Sequence, residues 1–325
     1  MAQGPQAAQE HRNEQPGSGS NPLRMGVFSI SPVLAAAWKK GFFADNDVHV
    51  VYEQVQSSDQ QFQDFAAGNY DVLQTAWDNV VNYRTNASNN LGRPLYAMAD
   101  FALDLGMGLT VTSPPEITSM EAIRGGEVAV DARNSGYAYV IYYLLEQAGL
   151  ARDEDYTVVR HGGLAERYLR LSDGFTAATL LSDGLEALAQ QQGMNQLADE
   201  SALGMPYVGS VAAWNGDWYA EHRDVGERFR ESYEAALAWV LDPGHRDEVV
   251  DLVANVRGLP KPDARLVVDA ELGPWGIARD TNIADDAARS VIGLRQQYNG
   301  FDDDPVVDPY GKLKPFFVNN GPDAS

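Results

Sequence analysis

The stretch GEVAVDARNSGYAYVIYYLLEQAGL, residues 126–150, decides the fold class. A short apolar run at 127–130 breaks at Asp131, and a second segment opens at Ser135 and stays apolar at helical spacing until Gln147, with Gly149 closing it. This reads as strand, loop and helix, half of a βαβ unit. Outward from it the same alternation repeats. Towards the C-terminus come a strand at 156–160, a helix at 165–171 and a strand at 177–181. Towards the N-terminus, strands are expected at 23–28, 48–52, 71–74 and 94–100, with helices between them from Ser31-Pro32, over 58–67 and from Trp77 towards Asn86. Strands separated by helices of this length predict parallel pairing with helices on both faces, and the break at Pro114-Pro115 divides the series into two sheets. Past Pro206 the pattern gives a strand at 208–214 and a helix whose Phe229, Tyr233, Ala236, Leu237 and Val240 form one apolar stripe.

The chain has 325 residues, 44% of them hydrophobic, which is enough for a sizeable core and suggests two lobes. Lys and Arg number 24 against 46 Asp and Glu, so the net charge is 24 − 46 = −22. A field of that sign repels phosphate backbones and anionic lipid, so nucleic acid and membrane surfaces are not expected partners. With no cysteine, disulfides, thiolate metal sites and cysteine nucleophiles are excluded. No apolar run reaches the roughly 18 residues of a membrane-spanning helix. Residues 1–22 are polar and lack periodic apolar positions, so they are expected to be a disordered tail without an export signal. The sequence leaves two locations open: extracytoplasmic if a leader was removed, cytoplasmic if Met1 is native.

Several segments resemble the solute-binding proteins of nitrate, sulfonate and taurine ABC importers, the group that also contains the thiamine-pyrimidine synthesis proteins. Ser31 to Phe43 (SPVLAAAWKKGFF) is similar to the family's first helix and its ending. Phe65 to Val72 (FAAGNYDV) resembles its Gly-Asp turn, and residues 120–130 (MEAIRGGEVAV) its Gly-led strand. Residues 145–150 (LEQAGL) match the close of its next helix. The resemblance spans residues 24–255. It implies an α/β, two-lobed Venus-flytrap of the type II periplasmic binding protein class, each lobe a mainly parallel sheet flanked by helices. The first lobe would comprise 23–105 and 208–325, the second 106–207, and the region from Asp302 onward is expected to be an irregular strap. The family's function would make the chain a capturer of a small organic anion, a sulfonate or carboxylate. It would be a monomer without a cofactor or metal, delivering its ligand to an ABC transporter permease if exported.

Open α/β sheets bind ligands at the carboxyl ends of strands. The loops expected there offer Ser29 and Ser31, Thr75, Trp77 and Asp78, Asp100, Arg133 with Ser135, Gly136 and Tyr137, Ser182, and Trp214. Ser135 and the free N–H groups of Gly136 and Tyr137 stand at a helix start, which favours an anionic head group. Arg133 has three readings, a bidentate clamp on that head group, a salt bridge to Asp131 or a solvated loop cation. Trp77 and Trp214 could stack on a flat ligand body.

Five histidines form no HxxxH or HExxH pair, and no GxSxG elbow occurs, so metal and serine-hydrolase signatures are missing. The phrase Phe28-Ser29-Ile30-Ser31-Pro32-Val33 resembles the start of the sulfinate desulfinases that share this fold, in which a cysteine nucleophile stands where Ser31 is here. The alternative function is therefore a cytoplasmic decarboxylase or hydrolase of small aromatic or carboxylate substrates, with Ser31 as nucleophile and His161 as base.

Overall fold

The computed structural model describes residues 22–298. The expected strap from Asp302, and all but the last residue of the expected tail, lie outside them. Two five-stranded sheets organise the chain into two lobes.

In the first lobe the elements follow the alternation read from the sequence: β1 (Leu23–Val27), α1 (Pro32–Lys39), α2 (Phe42–Asp45), β2 (Val50–Gln54), α3 (Ser58–Ala66), β3 (Val72–Ala76), α4 (Trp77–Thr85) and β4 (Ala97–Ala102). Local chemistry sets their ends. Ser31 caps α1 by accepting from Leu34 N at 3.2 Å, and Pro32 fills the first turn, where a missing N–H costs nothing. Ser57 caps α3 in the same way.

The chain then passes to the second lobe: β5 (Thr110–Ser113), β6 (Glu127–Val130), α5 (Gly136–Gln147), β7 (Thr157–Arg160), α6 (Leu164–Ser172), β8 (Ala178–Leu181), α7 (Leu185–Gln191) and β9 (Asn195–Asp199). It returns as β10 (Ser210–Asn215), followed by α8 (Gly216–Glu221), α9 (Arg223–Leu241), α10 (Arg246–Arg257), α11 (Lys261–Glu271) and α12 (Asp285–Gln297). Strands β5 and β9 are not among those expected from the sequence.

Strand order is β2-β1-β3-β10-β4 in the first sheet and β7-β6-β8-β5-β9 in the second. The two follow one plan. In each, the strand that enters directly after a passage between lobes, β10 or β5, slots in fourth and runs antiparallel to both neighbours. The remaining pairs are parallel. The sheets are therefore mixed, and the departure from fully parallel pairing comes from that one inserted strand in each.

An apolar core built on Met25, Val33, Trp214, Phe229 and Val250 fills the space between the first sheet and α1, α9 and α10. A second core covers the other face of that sheet and continues into the second lobe through Val128, Tyr139 and Leu180. Helix α12 lies against both α4 and α5, one from each lobe.

Candidate functional site

Four strand ends face each other between the lobes: those of β1 and β3 from the first, and of β6 and β8 from the second. They enclose a cavity of about 40 Å³. The first lobe contributes Phe28, Ser58, Gln74, Ala76, Asn79 and Ser210, and the second contributes Asp131, Ser135, Gly136, Tyr137, Leu164, Arg167 and Asp183, with Met107 from the passage between them. A space of this size holds a few water molecules or a compact head group.

The lobes are in contact around it. The Ser58 hydroxyl donates to Asp131 Oδ2 at 2.7 Å, and the Ser29 hydroxyl to Asp183 Oδ1 at 2.7 Å. Tyr137 OH lies 3.4 Å from Ser210 Oγ, and Arg160 pairs with Asp59 at 3.0 Å. Burial holds the Tyr137 phenol well above its ordinary range, so it enters the cavity as a neutral group.

Two features of the cavity favour an anion, set against the carboxylates of Asp131 and Asp183 in the same lining. The first is the start of α5. Ser135 Oγ accepts from Ala138 N at 3.3 Å and donates to Asp131 Oδ1 at 2.8 Å, which fixes the cap, while Gly136 and Tyr137 follow in the first turn. The second is Arg167 on α6. It is buried, and its Nη1 donates to Leu180 O at 2.7 Å and to Thr179 Oγ1 at 3.3 Å. Among the described residues its guanidinium forms no ion pair, and its Nε has no hydrogen-bond partner. Burial pushes Arg167 below its usual range, and the fields of Asp131, Asp183 and Tyr137 only partly offset this. A guanidinium does not lose its proton under ordinary conditions, so this is a buried positive charge without a direct ion pair among the described residues, held in the field of Asp131 and Asp183.

Of the residues expected at the site, Ser135, Gly136 and Tyr137 line the cavity. Ser29 and Ser182 sit just behind its wall, where both donate to Asp183 at 2.7 Å. The others lie elsewhere for identifiable reasons. Thr75 alternates with Gln74 and Ala76 along β3, so it points to the opposite face and accepts from Asn79 Nδ2. Trp77 is buried and donates to Ala288 O. Asp78 forms a buried ion pair with Arg295 of α12, whose Nε donates to Asp78 Oδ1 at 2.8 Å. Trp214 is fully buried, stacks on Trp218 and donates to Asp100 Oδ2 at 2.9 Å. It lies four residues along β10 from Ser210, about 13 Å at the usual strand rise. Asp100 also accepts from Arg230, and burial is the main cause that pushes its carboxyl up to about 6. Arg133 turns to the outer side of β7, pairing with Asp153 at 2.7 Å and donating to Val158 O; its partner is Asp153, not Asp131.

Ser31 is buried with its hydroxyl occupied as the α1 cap, and His161 is half-buried, its backbone N–H bonded to Val130 O. Among the described residues no hydrogen bond joins them, and neither lines the cavity. Sequence reasoning missed Arg167. A signal was present: Leu164, Arg167, Tyr168 and Leu171 share one face of α6, so an arginine occupies an otherwise apolar stripe.

Comparison with known proteins gives two kinds of match. The sequence model of the NMT1-like family covers residues 17–254. No curated protein matches the chain. Among solved structures, the periplasmic nitrate-binding protein NrtA from Synechocystis PCC 6803 is similar with a TM-score of 0.73 at 11% identity, over 92% of this chain and 86% of that one. The alkanesulfonate-binding protein SsuA from Xanthomonas axonopodis pv. citri, bound to MOPS, is similar with a TM-score of 0.69 at 13% identity, over 87% and 93%. A DSZB mutant in complex with biphenyl-2-sulfinic acid is similar with a TM-score of 0.60 at 16% identity, over 91% and 96%. At these identities the likeness establishes the two-lobed binding-protein fold.

Proposed function

We propose that this chain, which belongs to the NMT1-like family, is a solute-binding protein that holds a small organic anion between its lobes and passes it to an ABC importer. The observation that carries the reading is Arg167: a buried guanidinium without an ion pair, beside the amino end of α5, at a cavity shared by both lobes. An anion there gives Arg167 a direct ion pair and accepts from the free N–H groups of the first turn of α5, against the repulsion of Asp131 and Asp183. A sulfonate or carboxylate head suits the fork of the guanidinium, and the cavity volume favours a compact head.

The structural relatives support this reading, since two of them are described as binding nitrate and alkanesulfonate. Closure of one lobe on the other would then complete the site, with Ser29–Asp183 and Ser58–Asp131 as the contacts that join them. Native mass spectrometry of the purified protein tests the function. A co-purified small anion, released by unfolding and present at lower occupancy in an Arg167→Met variant, is expected. A bound molecule without acidic groups would refute it.

A further inference from the structure

The two passages between the lobes carry a group of carboxylates that the anion cavity does not use. Asp104 lies on the first passage, Glu200 on the turn before the second, Glu186 on α7 and Glu271 at the end of α11, and all four are more than nine-tenths buried. The backbone is built close around them. A Cβ at Gly106 would collide with Glu200 Oε1, one at Gly209 with Asp104 Oδ1, and one at Gly108 would lie 3.1 Å from Glu186 Oε1.

Partners are few. Asp104 Oδ1 accepts from Gly106 N and Ser210 N at 2.9 Å each, and its Oδ2 has no hydrogen bond. Neither oxygen of Glu200 has a well-formed hydrogen bond, nor does Glu186 Oε2. The N–H group of Leu109, facing Glu200, and those of Glu186 itself and Gly184, facing the Glu186 carboxyl, only partly offset burial. The surrounding charges are mostly of the same sign. Glu200 faces Asp104, Glu186 and Asp199, with Tyr207 beside it, while Glu186 faces Asp183 and Glu271. Of the nearby cations, Arg257 is paired with Glu271 at 2.7 Å, and Arg167 points its field at Asp131 and Asp183. The phenols of Tyr137 and Tyr233 face Asp104.

An ionised carboxylate in such a place lacks both solvation and a counter-ion, whereas a protonated one needs no counter-ion and costs far less to bury. We propose that Glu186 and Glu200 are carried as neutral carboxylic acids at the inter-lobe passages, which makes the packing of the lobes dependent on two held protons. Consistent with this, burial pushes Glu200 up to about 9 and Glu186 to about 8, above Glu271 at about 7 and Asp104 at about 6. The folded form therefore binds these protons more tightly than the unfolded chain does. It loses stability as pH rises towards those values, and once Glu186 and Glu200 ionise they repel Asp104 and each other across the passages.

The test uses the full chain without ligand. Infrared spectra near neutral pH are expected to show the carbonyl band of a protonated carboxylic acid that diminishes in E186Q and again in E186Q/E200Q. Glutamine mimics the neutral acid in shape, so both variants should fold. In urea, the wild-type midpoint should fall between about pH 7.5 and about pH 9.5, a window above histidine titration, and the double variant should fall much less. Absence of the band from the wild type at neutral pH would overturn the proposal, as would an equal fall in wild type and double variant. Neither readout involves the anion, so failure here leaves the proposed function untouched.

Discussion

Replacing Arg167 with Met separates a binding arginine from a structural one. Met keeps most of the stem volume and removes the charge. In the wild type without ligand, Nη1 supplies two hydrogen bonds, to Leu180 O and Thr179 Oγ1, while the charge itself is buried without an ion pair. The two lost hydrogen bonds cost up to about 1.5–3 kcal/mol each as bonds from a charged group. Relief of the desolvated charge returns an amount of the same order, so stability should change by no more than about 2 kcal/mol. Binding has no such compensation. Loss of one charge-assisted contact to an anionic head should weaken affinity by about 1.5–3 kcal/mol, or about 10- to 150-fold in Kd. The first turn of α5 remains, so binding should be weakened but not abolished. Calorimetric titration with methanesulfonate, acetate and nitrate, beside urea unfolding, reads both numbers. If the variant binds all three as the wild type does and instead loses several kcal/mol of stability, Arg167 is a core residue and the anion site has been misplaced.

Gly136 lies so close to α4 that an added Cβ would meet Asp78 Cβ at 2.5 Å, so Gly136→Ala should hold the lobes apart and enlarge the radius of gyration in solution scattering. Asp78→Asn leaves Arg295, itself fully buried, without its carboxylate and should cost about 3–5 kcal/mol in urea unfolding. A loss below about 1 kcal/mol would mean that Asn82 and Asn134, which also accept from Arg295, suffice to hold it. Arg133→Ala breaks a half-exposed pair with Asp153 and should cost less than about 1 kcal/mol, leaving methanesulfonate affinity unchanged. A tenfold loss of affinity would instead make Arg133 the anion clamp that its place in the sequence suggested.

Much of the fold was legible because its signals are local. The capped starts at Ser31, Ser57 and Ser135 mark where helices begin, and the run at 127–130 is a strand with the expected ends. Strands β5 and β9 escaped for opposite reasons. In β5, Thr110, Thr112 and Ser113 are buried by neighbours on both sides, which composition does not reveal. In β9, Asn195 to Asp199 form a half-exposed edge with no clear alternation. The site divides in the same way. A helix start that favours anions was visible at Ser135–Tyr137, because capping depends on adjacent residues. Arg167 was not, because an arginine on a short amphipathic helix is usually solvated, and only the packing of α6 against β8 turns it inward. Trp77 and Trp214 lie near the right strand ends, but side-chain direction and distance along the strand decide what reaches the cavity.

The inserted strand in each sheet has a consequence for biosynthesis. Among the described residues β4 is joined to its sheet solely through β10, which follows it by more than a hundred residues. A nascent chain that has emerged as far as β9 therefore holds all five described strands of the second sheet, while in the first sheet β4 still lacks the described strand that pairs with it. The lobe in the middle of the sequence can consolidate on the ribosome before the lobe that begins it, and the long loop that β10 must close should make completion of the first sheet the slow step of folding.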